Sequence, residues 1–318
     1  MADNSRKVVY GALTGNLLVA ISKFVAAGWS GSSAMLSEGV HSLVDTGNQS
    51  LLLYGQYRAD LPPDEEHPFG HGRELYFWSF IVALLMFALG AGVSFYQGIA
   101  HIKDPHPIEQ PIVNYIVLGC SAIFEFGSWT VAFKEFRKSK GKLDYYEAFL
   151  RSKDPPVFLV LFEDSAALIG LVIAFVGTFA STKLEIPIAD GVASIGIAVV
   201  LGITGFMLAR ESKALLIGES AADQVNKSIR VIVDGVAGVV RVNRLTTVHL
   251  APDEVVVSLS VEFADRLTVP EVEQRIAEME RSLREKHPEV IAVFVKLQSQ
   301  QQFDELRSGG CTRTGHRA

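Results

Sequence analysis

The stretch "SEGVHSLVDTGNQSLLLYG", residues 37–55, sets Glu38, His41 and Asp45 inside a run that otherwise reads as apolar helix. An ionised side chain at the centre of a bilayer costs about 2.5–3.5 kcal/mol on insertion scales, so several together need a compensating partner. His41 and Asp45 are four residues apart, which on a helix puts them on one face, one turn from each other. An imidazole nitrogen and a carboxylate oxygen at that spacing can grip one divalent cation. The alternative is a polar pair satisfied by neighbouring helices.

The stretch belongs to a strongly apolar chain. Of 318 residues, 49% are hydrophobic and 20% charged, with a mean hydropathy of +0.27. Six segments approach the roughly 20 apolar residues a bilayer crossing needs, near 8–28, 34–57, 76–102, 112–136, 155–179 and 188–208. The first is too long for the apolar part of a signal peptide and reads as a retained span. Arg6, Lys7, Arg58, Arg73, Lys134, Arg137, Lys138, Lys140, Lys142, Arg151, Lys153, Arg210 and Lys213 all fall on one side of these spans. Only Lys103 and Lys183 fall on the other, so the positive-inside rule places both termini in the cytoplasm. Small residues at helical spacing, such as Gly11 and Gly15, read as close helix packing. The net charge of −6 argues against nucleic-acid binding, which favours a basic surface. Cys120 and Cys311 are too few and too far apart for a disulfide framework or a thiolate metal site.

Beyond about Arg210 the pattern changes to soluble structure. An amphipathic helix near 221–234, the strands "VVRVNRLTTVHL" and "EVVVSLSVEF", a Thr-capped helix "TVPEVEQRIAEMERSLREKH" and the strand "VIAVFVKL" follow in the order α, β, β, α, β. That order predicts a small α+β domain with helices on one face of the sheet. The division expected is a six-span membrane domain over 1–216, the α+β domain over 217–298, and a polar tail over 299–318 expected to be disordered.

A second pair of acids stands in the fifth apolar segment, Glu163 and Asp164 in "VLFEDSAALIG". If that helix starts at Pro155, Asp164 lies about 13 Å along it, while Asp45 lies about 16 Å from the opposite end of its own helix. The two acids can share a depth.

With these stretches in view, the sequence resembles the cation diffusion facilitators, and closest the branch of the zinc transporter 9-like proteins. The likeness rests on "GNLLVAISKFVAAGWSGSSAMLSEGVHSLVDTGNQ", on "HPFGHGRELYFW" before the third segment, on the acid in the fifth, and on the element order of the last domain. It implies a homodimeric metal/proton antiporter of six transmembrane helices with a ferredoxin-like, metallochaperone-like cytoplasmic domain. Carried over by position, the intramembrane site would be His41, Asp45 and Asp164. Family members commonly carry His or Asp four residues before the fifth-span acid, where this chain has Val160. Glu163, a water or Asn48 could fill that place. Asp64, His67 and His71 in "PPDEEHPFGHG" match by spacing a second metal site found in some relatives, with a structural or subunit-contact role as the alternative. Glu125 in the fourth segment, a lone acid among apolar residues, reads as paired with another helix, with a proton relay as the alternative. His101 and His106, on the outer loop, are expected to be solvated. In the soluble domain His249 and His287 lack the partners of a metal site, which leaves dimer contact as its expected role.

The expectation for the whole is export of a divalent transition metal from the cytoplasm, Zn²⁺ first and Fe²⁺, Mn²⁺ or Co²⁺ after it, in exchange for protons. The protein would lie among membrane lipid, in a bacterial inner membrane, and would be no enzyme. The rival is a non-transporting metal sensor or assembly scaffold that keeps the fold, motivated by Val160.

Overall fold

A computed structural model of the chain describes residues 2–139 and 155–310, less the side chains of 2–15, 135, 138–139, 155–157 and 309–310. Lys140, Lys142, Arg151 and Lys153, used above for orientation, lie outside the described residues. The chain divides into two compact units, Met1–Leu216 and Ile217–Ala318.

The first unit is helical: α1 Ala2–Ser30, α2 Ser33–Ala59, α3 Arg73–Leu85, a π-helical turn Met86–Ala91, α4 Gly92–Lys103, α5 Pro111–Ser139, α6 Pro155–Lys183 and α7 Ile188–Ile217. The third apolar segment is the continuous run of α3, the π turn and α4. Four stretches are long and apolar enough to cross a membrane: Arg73–Lys103, Pro111–Lys134, Phe158–Lys183 and Ile188–Ile217. The expected count of six is thus met on length and hydropathy by four stretches among the described residues. In α1 the apolar stretch with described side chains is the shorter Asn16–Ser30, and α2 carries the polar residues that opened the reading.

Side chains are arranged inside out relative to a water-soluble bundle. Leu18, Ile123, Val131, Val172 and Phe206 are exposed, whereas Lys23, Glu38, His41, Asn48 and Asp190 are fully buried. An apolar exterior around polar interior groups suits a lipid surrounding. The buried apolar residues form two layers. One joins Ala34 and Met35 of α2, Leu118 of α5, Leu171 and Ala174 of α6, and Ile197 and Leu201 of α7. The other joins Leu52 of α2, Phe136 of α5, Phe158 and Leu159 of α6, and Leu208 of α7. Between these positions along α2, α5 and α6 fall His41, Asp45, Glu125, Glu163 and Asp164. The shared depth inferred from helical rise therefore appears as a polar layer between two apolar ones.

Two local devices hold this bundle. Gly98 of α4 and Gly191 of α7 let the two backbones touch, since a Cβ on Gly98 would stand 2.7 Å from the Gly191 carbonyl oxygen. The Asp190 carboxylate of α7 accepts from the Ser32 hydroxyl at 2.7 Å, the Ser33 amide at 2.5 Å and the Ala34 amide at 3.2 Å. It thereby satisfies amides that the first turn of α2 leaves without partners.

The second unit runs α8 Asp223–Asp234, β1 Val239–Ala251, β2 Glu254–Phe263, α9 Val269–Lys286, β3 Val290–Leu297 and α10 Gln300–Gly310. The sheet order is β1-β2-β3, with β1 antiparallel and β3 parallel to β2. Val255, Val257, Leu259 and Val261 alternate along β2 and are buried with Ile229 and Val233 of α8 and Met279 and Leu283 of α9. This is the α+β order expected from the sequence.

The disordered tail is corrected. Residues 300–310 form α10, in which Phe303 and Leu306 line a cavity of about 850 Å³ together with Thr246, Ser258 and Ser260 of the sheet. Phe303 and Leu306, three apart, fall on one face of this helix, and Gln301 donates to Glu305 one turn on at 3.0 Å. Residues 311–318 lie outside the described residues.

Helix α9 starts with a capping box, in which the Thr268 backbone N–H donates to Glu271 at 2.7 Å. That bond, first among the causes, holds the Glu271 carboxyl below its ordinary range. The cap's contribution is therefore complete above the ordinary carboxylate pKa and is lost as pH falls through the lowered one. Thr268→Ala should cost about 1 kcal/mol in urea unfolding of residues 217–310 at neutral pH. Glu271→Gln should flatten the acid limb of the pH profile, and an unchanged limb would show the cap to be idle.

Candidate metal centre

Helix α2 presents His41 and Asp45 one turn apart, with His41 Nδ1 3.3 Å from Asp45 Oδ1. The distance is that of an ion pair, yet both ring nitrogens and that oxygen are buried without a hydrogen-bond partner. Orphaned donor atoms in a dry interior are costly, on the order of 1–3 kcal/mol each, unless something else satisfies them. Asn48, a further turn on, donates from Nδ2 to Glu163 Oε1 of α6 at 2.7 Å, and its own Oδ1 is also orphaned.

The Asp45 and Glu163 carboxyls face each other within hydrogen-bonding range. Two carboxylates in contact repel unless a proton or a cation sits between them. Asp164, the next residue of α6, turns toward α5, where the Ser128 hydroxyl donates to its Oδ2 at 2.8 Å. The structure thus brings Glu163 against Asp45, and it holds Asp164 of α6 against Ser128 of α5. Val160 lies one turn before Asp164, half-buried. Glu125 of α5 lies within electrostatic reach of Lys23, which attracts it, and of Glu38 and Glu163, which repel it.

Lys23 of α1 went unnoticed in the sequence. Its ammonium donates to Glu38 Oε2 at 3.0 Å and to the Ser42 hydroxyl at 2.7 Å, and the side chains of Lys23 and Glu38 are 0% exposed. It is the one cation facing Glu38, Asp45 and Glu125 from α1 among the described residues. The signal available was a single lysine inside the first apolar segment, a residue rare there without a partner.

The loop between α2 and α3 holds the second candidate. Asp64 binds both imidazoles, Oδ1 to His67 Nδ1 and Oδ2 to His71 Nε2, each at 3.1 Å. The rings lie 4.2 Å apart, and Gly70, at φ +82°, supplies the left-handed turn between them. The His67 backbone N–H, more than the imidazoles, holds the Asp64 carboxyl below its ordinary range. This is the one group of three His, Cys or acidic residues among the described residues with ligand atoms all within 4.8 Å of one another. His41, Asp45, Glu163 and Asp164 are not gathered that closely.

In the second unit each of the two histidines has partners within the unit. His249 Nδ1 lies 3.1 Å from the Ala251 carbonyl, and His287 lies 3.1 Å from Glu289 and 2.8 Å from Ser228. His101, expected to be solvated, is corrected: it is 7% exposed, because it lies in the last turn of α4 against the bundle, while His106 is exposed as expected.

Comparison with known proteins joins these observations. The cation efflux transmembrane domain matches residues 9–217, and the cytoplasmic domain of cation efflux proteins matches residues 221–299. The mitochondrial proton-coupled zinc antiporter SLC30A9 of Xenopus laevis is 36% identical over 225 residues, 70% of this chain and 40% of the relative. The human SLC30A9 protein is 29% identical over 306 residues, 94% of this chain and 54% of the relative. The cation-efflux pump FieF of Citrobacter koseri is 24% identical over 291 residues, 89% of each. The chain spans about half the length, or less, of the zinc antiporters it matches. With both matched domains following one another along it, and the first covering most of the helical unit, the chain belongs to the cation efflux family, the cation diffusion facilitators that its sequence resembles.

Proposed function

We propose that the chain exports a divalent transition metal, zinc before Fe²⁺, Mn²⁺ or Co²⁺, in exchange for protons. The observation that carries this reading is the facing pair Asp45 and Glu163 beside the orphaned nitrogens of His41. Protons can hold that pair together, and a dication can do the same. Metal ligands must be deprotonated to bind, so binding and protonation exclude each other, and this exclusion is the coupling. His41, Asp45, Glu163 and Asp164 are the proposed ligand set, with Asp164 joining by turning from Ser128. Val160 leaves the usual family ligand missing, and Glu163 supplies it. Proton-coupled zinc antiport is what the names of the SLC30A9 relatives state of those proteins.

The remaining architecture follows the same reading. α1 and α2 cross the bilayer with the four strongly apolar stretches, giving six spans over residues 1–216 and a cytoplasmic unit from 217 that supports a homodimer. The lysine and arginine asymmetry supports cytoplasmic termini. A bacterial inner membrane is the placement proposed, and the mitochondrial label of the zinc antiporters names the competing one. The scaffold alternative, motivated by Val160, predicts binding without movement. Proteoliposomes offered Zn²⁺, Fe²⁺, Mn²⁺ and Co²⁺ decide between them: an imposed proton gradient should drive zinc across the membrane, and the absence of flux for every ion would leave the scaffold.

The Asp64, His67 and His71 loop binds zinc at the cytoplasmic mouth and tunes transport. Replacing both histidines by alanine should slow zinc flux several-fold, by about 10-fold at most, while leaving the coupled exchange. Complete loss of flux in a properly folded double variant would move the loop into the transport path itself.

A further inference from the structure

At the end of the helical unit where α2 begins, opposite the Asp64 loop, a cavity of about 520 Å³ is lined by Ser32, Ser33, Gln97, His101, Asp104 and His106, among others. We propose that His101, Asp104 and His106 form a further binding site for a divalent transition metal in this mouth. His101 is buried, and its Nε2 has no hydrogen-bond partner. His106 Nε2 lies 3.4 Å from Asp104 Oδ2. The two imidazoles stand 6.3 Å apart, nearly perpendicular at 88°. Two imidazoles on one tetrahedral zinc sit with ring centres about 5 Å apart, given nitrogen–zinc bonds of about 2 Å. Turning His106 about its side-chain torsions closes the difference, and its exposure leaves it free to turn.

α1 ends at Ser30 and α4 at Lys103, so two helix C-termini, the negative ends of their dipoles, lie at this mouth. The N-terminus of α2, which would repel a cation, is already neutralised by Asp190. The loop bearing His106 is anchored, because the Glu109 amide donates to the Ser30 carbonyl at 3.0 Å and Ile108 is buried. Two imidazoles and one carboxylate select Zn²⁺ and its neighbours over Mg²⁺ or Ca²⁺. As a station for release the site rests on the export reading above; as a binding site it does not. A metal leaving the polar layer would meet here a donor trio like the Asp64 loop at the other end, but looser and more exposed, and so weaker.

Zinc titration of the full-length protein in detergent tests this, with the ion alone as probe. His106→Ala, at an exposed loop position, should bind one equivalent fewer than the unsubstituted chain. In a background of Asp45→Asn, His67→Ala and His71→Ala one equivalent should remain. It should weaken at least about tenfold on adding His106→Ala or His101→Gln. Undiminished stoichiometry in His106→Ala, or a background that folds and binds no zinc, overturns the site. Failure of the export reading looks different: all zinc equivalents are present and no flux is measured.

Discussion

Proteoliposomes containing Asp45→Ala should show no proton-driven zinc flux, a fall of at least about 100-fold, with folding and dimer content unchanged. The substitution removes the carboxyl that faces Glu163 and the acid one turn beyond His41 on α2. The proposed site loses one of its four ligands and the carboxyl that joins α2 to Glu163 of α6. Asp164→Ala should give the same loss, and normal flux in that variant would sink the ligand set. Glu163→Gln separates the two readings of α6. If Glu163 fills the place left by Val160, zinc affinity should fall nearly as far as with Asp164→Ala; if it serves only to hold Asn48, flux should survive. Val160→His should supply the usual family ligand and shift preference toward tetrahedral Zn²⁺ over ions that favour higher coordination.

The second large effect is on stability. Lys23→Met should cost about 3–5 kcal/mol, because it strands Glu38 as a lone charge in the interior. Against the roughly 5–15 kcal/mol that separates a folded domain from its unfolded ensemble, that loss is severe. Glu38→Leu should do comparable damage by stranding Lys23. The double variant should recover most of the loss, since a buried pair replaced by apolar groups of similar volume is close to neutral. Thermal inactivation and monodispersity in detergent would report it, and a double variant no better than the singles would show that packing rather than charge sets the cost. Gly170→Ala probes the same contact from α6, where a Cβ would collide with Glu38 Oε1.

What could be read from the sequence was what is local along the chain. His41 and Asp45 announce themselves by a four-residue spacing, Glu163 and Asp164 by adjacency in an apolar run, and Asp64, His67 and His71 by one short loop. The second unit was legible because period-two alternation on β2 and the Thr268 cap are local signals too. Lys23 with Glu38, and Asp190 with Ser32 and Ser33, were not legible, since each is a single polar residue whose partner is fixed only by how helices pack. The choice between Glu163 and Asp164 as the neighbour of Asp45 is a matter of helix rotation, which neighbouring sequence positions leave open. His101 was misread for the same reason: its loop context suggested water, while its place on the last turn of α4 buries it. Helix α10 escaped notice because two apolar residues in a polar run make a weak pattern until a sheet face lies beneath them.

The Asp190 clamp has a mechanical consequence. By fastening the first turn of α2 to α7, it makes that end a pivot. At about 1.5 Å per residue, His41 and Asp45 lie about 12 and 18 Å from the pivot, and Ala59 about 39 Å. A swing of about 10° then carries the two ligands about 2–3 Å while the far end sweeps about 7 Å, by the same helical rise. A helix pinned in this way would act as a lever, in which a wide excursion beside the Asp64 loop becomes a fine adjustment of ligand distance in the polar layer.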